Sequence, residues 1–215
     1  MQTENIHQKQ PLLTSGAPLE TASDAMILIH GRGADAQSIM ELSAYFPKPG
    51  RAFLAPQAGL NRWYPQSFLA PLSENEPDLS YALDRLESLV LDLMNHNLTP
   101  EQIYIGGFSQ GACLTAEFSA RYPRRYAGLL IFSGGLIGPQ IKHTAIASTW
   151  HKMPVFIGCS DIDPHIPLKR VKETAAFFEQ SGAYVNLQIT PSMAHTISLE
   201  ELDEAGKMVN VTTNT

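Results

Sequence analysis

Cysteine is scarce in this chain, and its scarcity argues against two kinds of architecture. Only Cys113 and Cys159 occur among 215 residues, too few for a disulfide framework or for a zinc site built from cysteine ligands. Each lies within an apolar stretch, where a cysteine is usually a small buried hydrophobic residue. These two residues therefore give no reason to expect a disulfide-bonded or zinc-bound fold.

Excess positive charge and long apolar runs are also missing. The chain has 15 Lys and Arg against 21 Asp and Glu, a net charge of −6 without a basic cluster. Nucleic acid is therefore not expected as a partner, and binding to an anionic lipid surface is disfavoured. No apolar run approaches the roughly 20 residues that cross a bilayer, and the N-terminal residues lack the basic start and apolar core of a secretory signal. We expect a cytoplasmic protein without stable membrane insertion.

What is present is an alternation of short apolar runs and helical patterns. The run "AMILIH" (25–30), which ends at a glycine-rich turn, is typical of a buried parallel strand. Five similar runs lie at 51–56, 102–108, 126–134, 153–160 and 183–191. Helical patterns lie at 79–97, 168–182 and 198–210, and the last begins with a capping-box pattern. The order predicts an α/β fold with a mostly parallel sheet covered by helices on both faces.

The length and the absence of internal repeats predict one domain over residues 1–215. Within it, residues 1–23 are expected to be irregular or to form a small edge hairpin around Ser15 and Gly16, and residues 211–215 to be disordered. The longest stretch without periodicity is 56–78, which is rich in proline and aromatic residues. Loops of this length are often functional.

One short motif suggests nucleophilic catalysis. Residues 107–111, "GFSQG", match the G-x-S-x-G pattern, which places a serine on a strained turn between a strand and a helix. Glycine avoids a Cβ clash at the flanking positions, and the following helix points its positive end at the oxygen that becomes negative during acyl transfer. Ser109 is thus a candidate nucleophile, with a buried turn serine as the structural alternative.

A nucleophilic serine needs a histidine base, which follows it in chain order in this kind of fold. His195 lies between the last predicted strand and the last predicted helix, at the sheet edge where ligands bind in such folds. His151 precedes a strand and so belongs at the opposite end of the sheet. His165 follows Asp163 too closely to be the base that Asp163 orients, although it is a candidate for lining the site.

The carboxylate that orients the base is expected in "GCSDIDPHIP", after the strand at 153–160. Asp161 and Asp163 both qualify by position. We favour Asp163, because Pro164 and Pro167 stiffen the loop around it, while Asp161 has the position of a turn-capping aspartate.

Two backbone N–H groups must stabilise the oxyanion in such a mechanism. One is expected from Gln110, directly after the serine, and the other from Arg32 in the glycine-rich turn "HGRGAD" (30–35). That turn lacks the third glycine of a dinucleotide-binding motif, and no phosphate-loop pattern occurs in the chain, so neither nucleotide site is expected.

Four separate segments agree on this chemistry, and together they resemble the phospholipase/carboxylesterase family of α/β-hydrolases, which includes the acyl-protein thioesterases. The resemblance covers nearly the whole chain from about residue 24, through motifs that include "HGRGA", "WYP", "GFSQGA", "GCSDIDPHIP" and "MAHTIS". The forms of "WYP" and "DPHIP" look closer to bacterial esterase-type members than to eukaryotic thioesterases. One departure is Ala194, where members often have glycine before the final histidine.

The resemblance implies an α/β-hydrolase fold without a separate lid domain. It also implies Ser109 as nucleophile, Asp163 as acid and His195 as base, with the backbone of Arg32 and Gln110 as oxyanion donors. The expected activity is hydrolysis of a small or medium carboxylic ester, or of a thioester, without a metal or organic cofactor.

The substrate is less well defined by the sequence. Trp63, Tyr64, Phe68 and Leu69 are candidates for an apolar acyl pocket, with packing over the sheet edge as the alternative. Rival functions are those of an acyl-protein thioesterase, a lysophospholipase, or a non-catalytic binding protein with a hydrolase fold. The sequence leaves a homodimer open.

Overall fold

The computed structural model describes residues 4–144 and 150–210. It contains one seven-stranded sheet, in the order β1-β3-β2-β4-β5-β6-β7. All neighbouring strands are parallel except β1 and β3, which are antiparallel. The strands are β1 (Leu12–Gly16), β2 (Asp24–Ile29), β3 (Arg51–Pro56), β4 (Ile103–Phe108), β5 (Gly128–Phe132), β6 (Pro154–Ser160) and β7 (Tyr184–Thr190).

Helices cover both faces of this sheet, as predicted from the alternating pattern. They are α1 (Ala36–Met40), α2 (Leu72–Asn75), α3 (Asp78–Asn95), α4 (Gln110–Arg121), α5 (Leu168–Gln180) and α6 (Leu199–Asn210). The predicted capping box is present at the start of α6, where the backbone N–H of Glu201 donates to Ser198 Oγ at 3.1 Å. No helix in the described ranges is long and apolar enough to span a bilayer.

Side-chain alternation along β2 shows why the central strands read as continuous apolar runs. Ile27 and Ile29 join the larger core with α3, α4 and α5, while Met26 and Leu28 join the smaller core with α1 and α6. A strand whose residues point alternately into two buried layers has no polar face.

The N-terminal segment forms one edge strand and not the hairpin expected around Ser15 and Gly16. Strand β1 pairs with β3 in a register that joins Leu12 to Pro56 and Gly16 to Ala52. Its partner therefore comes from a distant part of the chain, which local turn signals do not reveal. The tail expected to be disordered, 211–215, lies outside the described residues.

The order of the strands fixes where a site can form. The chain runs from β2 outward to β3 and then returns to place β4 on the other side of β2. The loops that follow β2 and β4 therefore diverge at their carboxyl ends, which opens a crevice where ligands bind in open α/β sheets. Ser109 follows β4 at this point, and the glycine-rich turn at 30–33 follows β2.

Candidate active site

Ser109 sits on a strained turn between β4 and α4. Its backbone dihedral angles are φ 56° and ψ −118°, a conformation that is rare for a residue with a side chain. The turn is tight enough that a Cβ on Gly107 would lie 2.5 Å from the carbonyl carbon of Gly111. Glycine at both positions lets the backbone close, and the closed turn presents Ser109 Oγ at the edge of the sheet.

Three side chains from three separate loops form a hydrogen-bonded chain at this edge. Ser109 Oγ lies 2.8 Å from His195 Nε2, and His195 Nδ1 lies 2.6 Å from Asp163 Oδ2. An ionised carboxylate can only accept a hydrogen bond, so Nδ1 of the imidazole carries the proton. In the neutral ring Nε2 is then an acceptor directed at the serine hydroxyl.

Asp163 is held in place by its own loop. Its Oδ1 accepts hydrogen bonds from the backbone N–H groups of His165, at 2.8 Å, and Ile166, at 3.0 Å. Burial opposes the charged form of Asp163, but the hydrogen bonds from His195 and from these two N–H groups outweigh it and lower the pKa of the carboxyl. The carboxylate therefore stays ionised beside the imidazole.

The other candidate acid, Asp161, has a different contact. Its Oδ1 accepts a hydrogen bond of 2.7 Å from the backbone N–H of Ser192, in the loop that leads to His195. Asp161 thus ties two loops together, and Asp163 alone of the two carboxylates contacts the imidazole.

Two rings flank His195 and limit its rotation. The Phe108 ring lies 4.9 Å from the imidazole, centroid to centroid, and the His165 ring packs edge-on at the same distance. The structure therefore places His165 beside the site, as the sequence predicts. His151 precedes β6, at the opposite end of the sheet from Ser109.

The two predicted oxyanion donors come from two different segments that meet at Ser109. Gln110 is the first residue of α4, where backbone N–H groups have no partner within the helix. Arg32 follows Gly31, and a Cβ on Gly31 would lie only 3.3 Å from the Cβ of Ser109. The glycine allows the turn after β2 to approach the serine, so the backbone at Arg32 also reaches the site.

The side chains of these two residues perform a task that the sequence did not reveal. The guanidinium of Arg32 donates to the carbonyl oxygens of Tyr64, Pro65 and Gln66 at 2.7–2.9 Å. The carboxamide of Gln110 accepts from the backbone N–H of Trp63 at 2.8 Å and donates to the Tyr64 carbonyl oxygen at 2.9 Å. Both side chains therefore hold residues 63–66, which we call the cavity loop.

A buried asparagine extends this support on the far side of the cavity loop. Asn75, at the end of α2, accepts from the Gln66 N–H at 2.8 Å and donates to the Ser67 carbonyl oxygen at 3.0 Å. The irregular stretch is thus ordered by polar side chains that come from three other elements, and its conformation is set by contacts distant in sequence.

The cavity loop and Phe68 form one wall of a cavity of about 440 Å³ that opens above Ser109. We call it the loop-side cavity. Its lining residues are Arg32, Tyr64, Pro65, Gln66, Ser67, Phe68, Ser109, Gln110, Cys113, His165, Ile166 and His195. Tyr64 and Phe68, two of the predicted pocket residues, are therefore among them.

Two other predicted pocket residues do not line this cavity, so for them the prediction is wrong. Trp63 is fully buried and donates its indole N–H to the carbonyl oxygen of His30 at 2.9 Å, with its ring packed against His7 and His30. Leu69 faces a neighbouring cleft with Ile141 and Pro167. Trp63 thus takes the packing role that the sequence left as an alternative.

The cysteines are not candidates for nucleophilic chemistry. Burial raises the pKa of both thiols, Cys113 and Cys159, to about 12, so they stay protonated near neutral pH. Within the described ranges, no group of three His, Cys, Asp or Glu side chains is placed to hold a metal ion.

Comparison with known proteins gives one family. A family model for phospholipase/carboxylesterase matches residues 16–213. The crystal structure of a phospholipase/carboxylesterase from Dyadobacter fermentans superposes with a TM-score of 0.89 at 37% identity, over 94% of this chain and 97% of that one.

Two similar proteins from yeasts carry the name acyl-protein thioesterase 1. The protein from Saccharomyces cerevisiae is 30% identical, but the alignment covers 60% of this chain and only 57% of that protein. The protein from Debaryomyces hansenii is 26% identical over 95% of this chain and 98% of its own length. The match to the family model over residues 16–213 is decisive: this chain belongs to the phospholipase/carboxylesterase family and has the α/β-hydrolase fold.

Proposed function

We propose that this chain is a serine hydrolase that cleaves carboxylic esters, and thioesters, of small or medium acyl groups through an acyl-enzyme. The observation that carries the proposal is the continuous chain from Asp163 through His195 to Ser109, with distances of 2.6 and 2.8 Å. This geometry fits the roles of acid, base and nucleophile in the order that the fold family requires.

In the acylation step His195 Nε2 takes the proton of Ser109 Oγ while the oxygen attacks the carbonyl carbon of the substrate. The imidazolium that forms is stabilised by Asp163, whose hydrogen bonds keep it ionised. His195 then gives the proton to the leaving oxygen or sulfur, the bond to the leaving group breaks, and the acyl group stays on Ser109.

In the deacylation step water repeats the attack from the leaving-group side. His195 accepts a proton from the water and returns it to Ser109 Oγ as the acid departs, so the enzyme is restored without any redox or metal step. In both steps the negative oxygen accepts hydrogen bonds from the backbone N–H groups of Arg32 and Gln110. Because these donors are already in place, the site does not have to rearrange as the charge develops.

The loop-side cavity suits an uncharged acyl group. Its volume of about 440 Å³ lies within the range of small-molecule sites. Its one permanently charged lining residue, Arg32, already donates to three carbonyl oxygens. The relatives named acyl-protein thioesterase support a thioester as second substrate class, and the tighter match to a phospholipase/carboxylesterase supports the oxygen ester as the first.

A fluorophosphonate probe tests the proposal, because it labels only an activated serine. We expect one modified peptide that contains Ser109, and loss of both labelling and ester hydrolysis in Ser109→Ala. Ser88→Ala on α3 is the matched control, because its hydroxyl donates to the Asp84 carbonyl oxygen of its own helix, far from the site. A folded wild-type protein that neither labels nor hydrolyses any ester would make the chain a non-catalytic binding protein.

The cytoplasm remains our proposed location, and it is supported by the state of the thiols. Cys113 and Cys159 are both free and buried, as is usual where disulfides do not form. Fractionation of the source cells, with detection by antibody, tests this placement.

A further inference from the structure

A second cavity lies next to the neighbours of the reacting residues, on the opposite face of the sheet. It has a volume of about 430 Å³ and lies between α1 and the segment that leads into α6. We call it the α1–α6 cleft. The loop-side cavity lies on the other face, where Cys113 of α4 and Phe68 line it. Ser109 and His195 themselves line the loop-side cavity, and their chain neighbours Phe108 and Thr196 line the α1–α6 cleft.

The α1–α6 cleft begins at the immediate neighbours of the reacting groups. Gly31 precedes Arg32, Phe108 precedes Ser109 and Thr196 follows His195, and all three line the cleft. The Phe108 ring also contacts the imidazole, with 4.9 Å between the two ring centroids. The cleft therefore begins one residue away in the chain from both Ser109 and His195.

The lining of the cleft is mostly apolar and partly exposed. Besides Ala34 and Phe108, its apolar side chains are Ile39, Leu42, Tyr45, Ile197, Leu199 and Leu202. Two of these side chains are exposed to solvent: the accessible fraction is 46% for Tyr45 and 67% for Leu199. Large apolar side chains that border a cavity gain free energy when an apolar ligand covers them.

The chemistry divides the two parts of an ester between the two cavities. The acyl group stays bonded to Ser109 Oγ until water releases it, so it must occupy the cavity that Ser109 itself lines, which is the loop-side cavity. The leaving group receives its proton from His195, and the residues that follow His195 in the chain, Thr196 and Ile197, line the other space. The α1–α6 cleft is thus on the leaving-group side.

We propose that the α1–α6 cleft binds the leaving group and selects apolar, uncharged alcohols or thiols; this rests on the proposed ester hydrolysis at Ser109. Charge supports the selection. In the part of the chain that the structure describes, Glu41 is the one acidic residue that lines the cleft and no Lys or Arg side chain lines it. Burial lowers the pKa of His30, so its imidazole stays neutral. A phosphorylated leaving group such as coenzyme A would find no cation there.

The test compares benzyl butyrate with methyl butyrate, two esters that share an acyl group and whose alcohols have similar acidity. We expect the wild-type protein to prefer the benzyl ester in kcat/KM. In the double variant Tyr45→Ser with Leu199→Ser we expect this preference to fall about tenfold, the effect of losing roughly 55 Å² of apolar contact. Both positions are exposed, so the substitutions spare the core.

A matched control is Leu91→Ser on α3, which removes an exposed leucine, 45% accessible, that lines neither cavity. It should leave the preference for the benzyl ester unchanged. A second series of methyl esters with acyl chains of increasing length reports on the loop-side cavity, and its profile should be the same in the double variant and in the wild type.

Two results would overturn the proposal. An unchanged benzyl preference in the double variant would show that the cleft does not bind the leaving group. A shift in the acyl-length profile of the methyl esters would place the acyl group in the cleft. In either case Ser109 would still label with fluorophosphonate, so failure of this inference is distinct from failure of the proposed hydrolysis.

Discussion

Arg32 and Gln110 donate to the same acceptor, the carbonyl oxygen of Tyr64, each at a distance of 2.9 Å. The same two residues carry the backbone N–H groups that are proposed to hold the oxyanion. Their side chains thus hold the wall of the loop-side cavity while their main chain forms the proposed oxyanion site. A displacement of the cavity loop would therefore also move the proposed oxyanion donors. For this reason we assign these side chains a positioning role.

Replacing Arg32 by Met should weaken positioning without removing the oxyanion donor. The backbone N–H stays, so we expect kcat/KM to fall by about tenfold, less than the ~10²–10³ that loss of one oxyanion donor costs. Arg32→Lys should recover part of the loss, because an ammonium can reach one of the three carbonyl oxygens. Steady-state kinetics on one ester, with thermal unfolding as a fold check, measure this. A loss of 10³ in a well-folded variant would contradict a positioning role.

Asp161 and Asp163, in the loop that follows β6, should differ sharply in the loss of activity when each is changed to asparagine. Asp163→Asn removes the acceptor for His195 Nδ1–H and favours the wrong tautomer, so kcat should fall by about 10⁴. Asp161→Asn keeps an oxygen for the Ser192 N–H and should cost less than about tenfold. Both variants are measured with the same ester. Equal losses would mean that Asp163 acts only by shaping the loop.

A pH-dependent stability difference is expected at Glu201. Burial raises the pKa of this carboxyl above its usual value, and its Oε1 has no hydrogen-bond partner among residues 4–144 and 150–210. A carboxyl whose pKa is higher in the folded than in the unfolded state favours folding below the unfolded pKa. That contribution is lost as the pH rises through the folded pKa.

Glu201→Gln should remove this dependence while keeping the cap. Glutamine is uncharged, and its side-chain oxygen can still accept from the Ser198 N–H, as glutamate does at 2.8 Å. We expect the variant to gain stability over the wild type as the pH rises above about 4.5, the usual range for glutamate. Urea unfolding at pH 4.5 and pH 8 checks this. A difference that does not vary with pH would contradict the assignment.

The parts of the site that were predictable are those set by local sequence. Ser109 and its flanking glycines specify the turn, and His195 and Asp163 each follow a strand that ends at the same sheet edge. The capping box of α6 is likewise a pattern of neighbours. In each case the residues that determine the geometry lie within a few positions of the residue they place.

The cavity loop was not predictable, because distant residues determine its conformation. Aromatic residues in an irregular stretch carry no periodicity that separates inward from outward positions. Arg32, Gln110 and Asn75 set the path of the loop through hydrogen bonds to its backbone. The pairing of β1 with β3 was missed for the same reason, since its two strands are far apart in the chain.

Variants of Phe68 and Trp63 test whether the loop-side cavity sets the preference for acyl-chain length. Phe68 lines the cavity, so Phe68→Ala should enlarge it and shift the preference of the enzyme toward longer or bulkier acyl chains. Trp63 belongs to the cavity loop, but its indole does not line the cavity and donates to the His30 carbonyl oxygen, so Trp63→Phe should lower stability by about 1–3 kcal/mol. Its acyl-length profile should match that of the wild type. The profile is measured as kcat/KM over a series of methyl esters, and stability by urea unfolding. If Trp63→Phe shifted the profile as strongly as Phe68→Ala, the indole would have to contact the acyl group. That result would contradict its absence from the lining of the loop-side cavity.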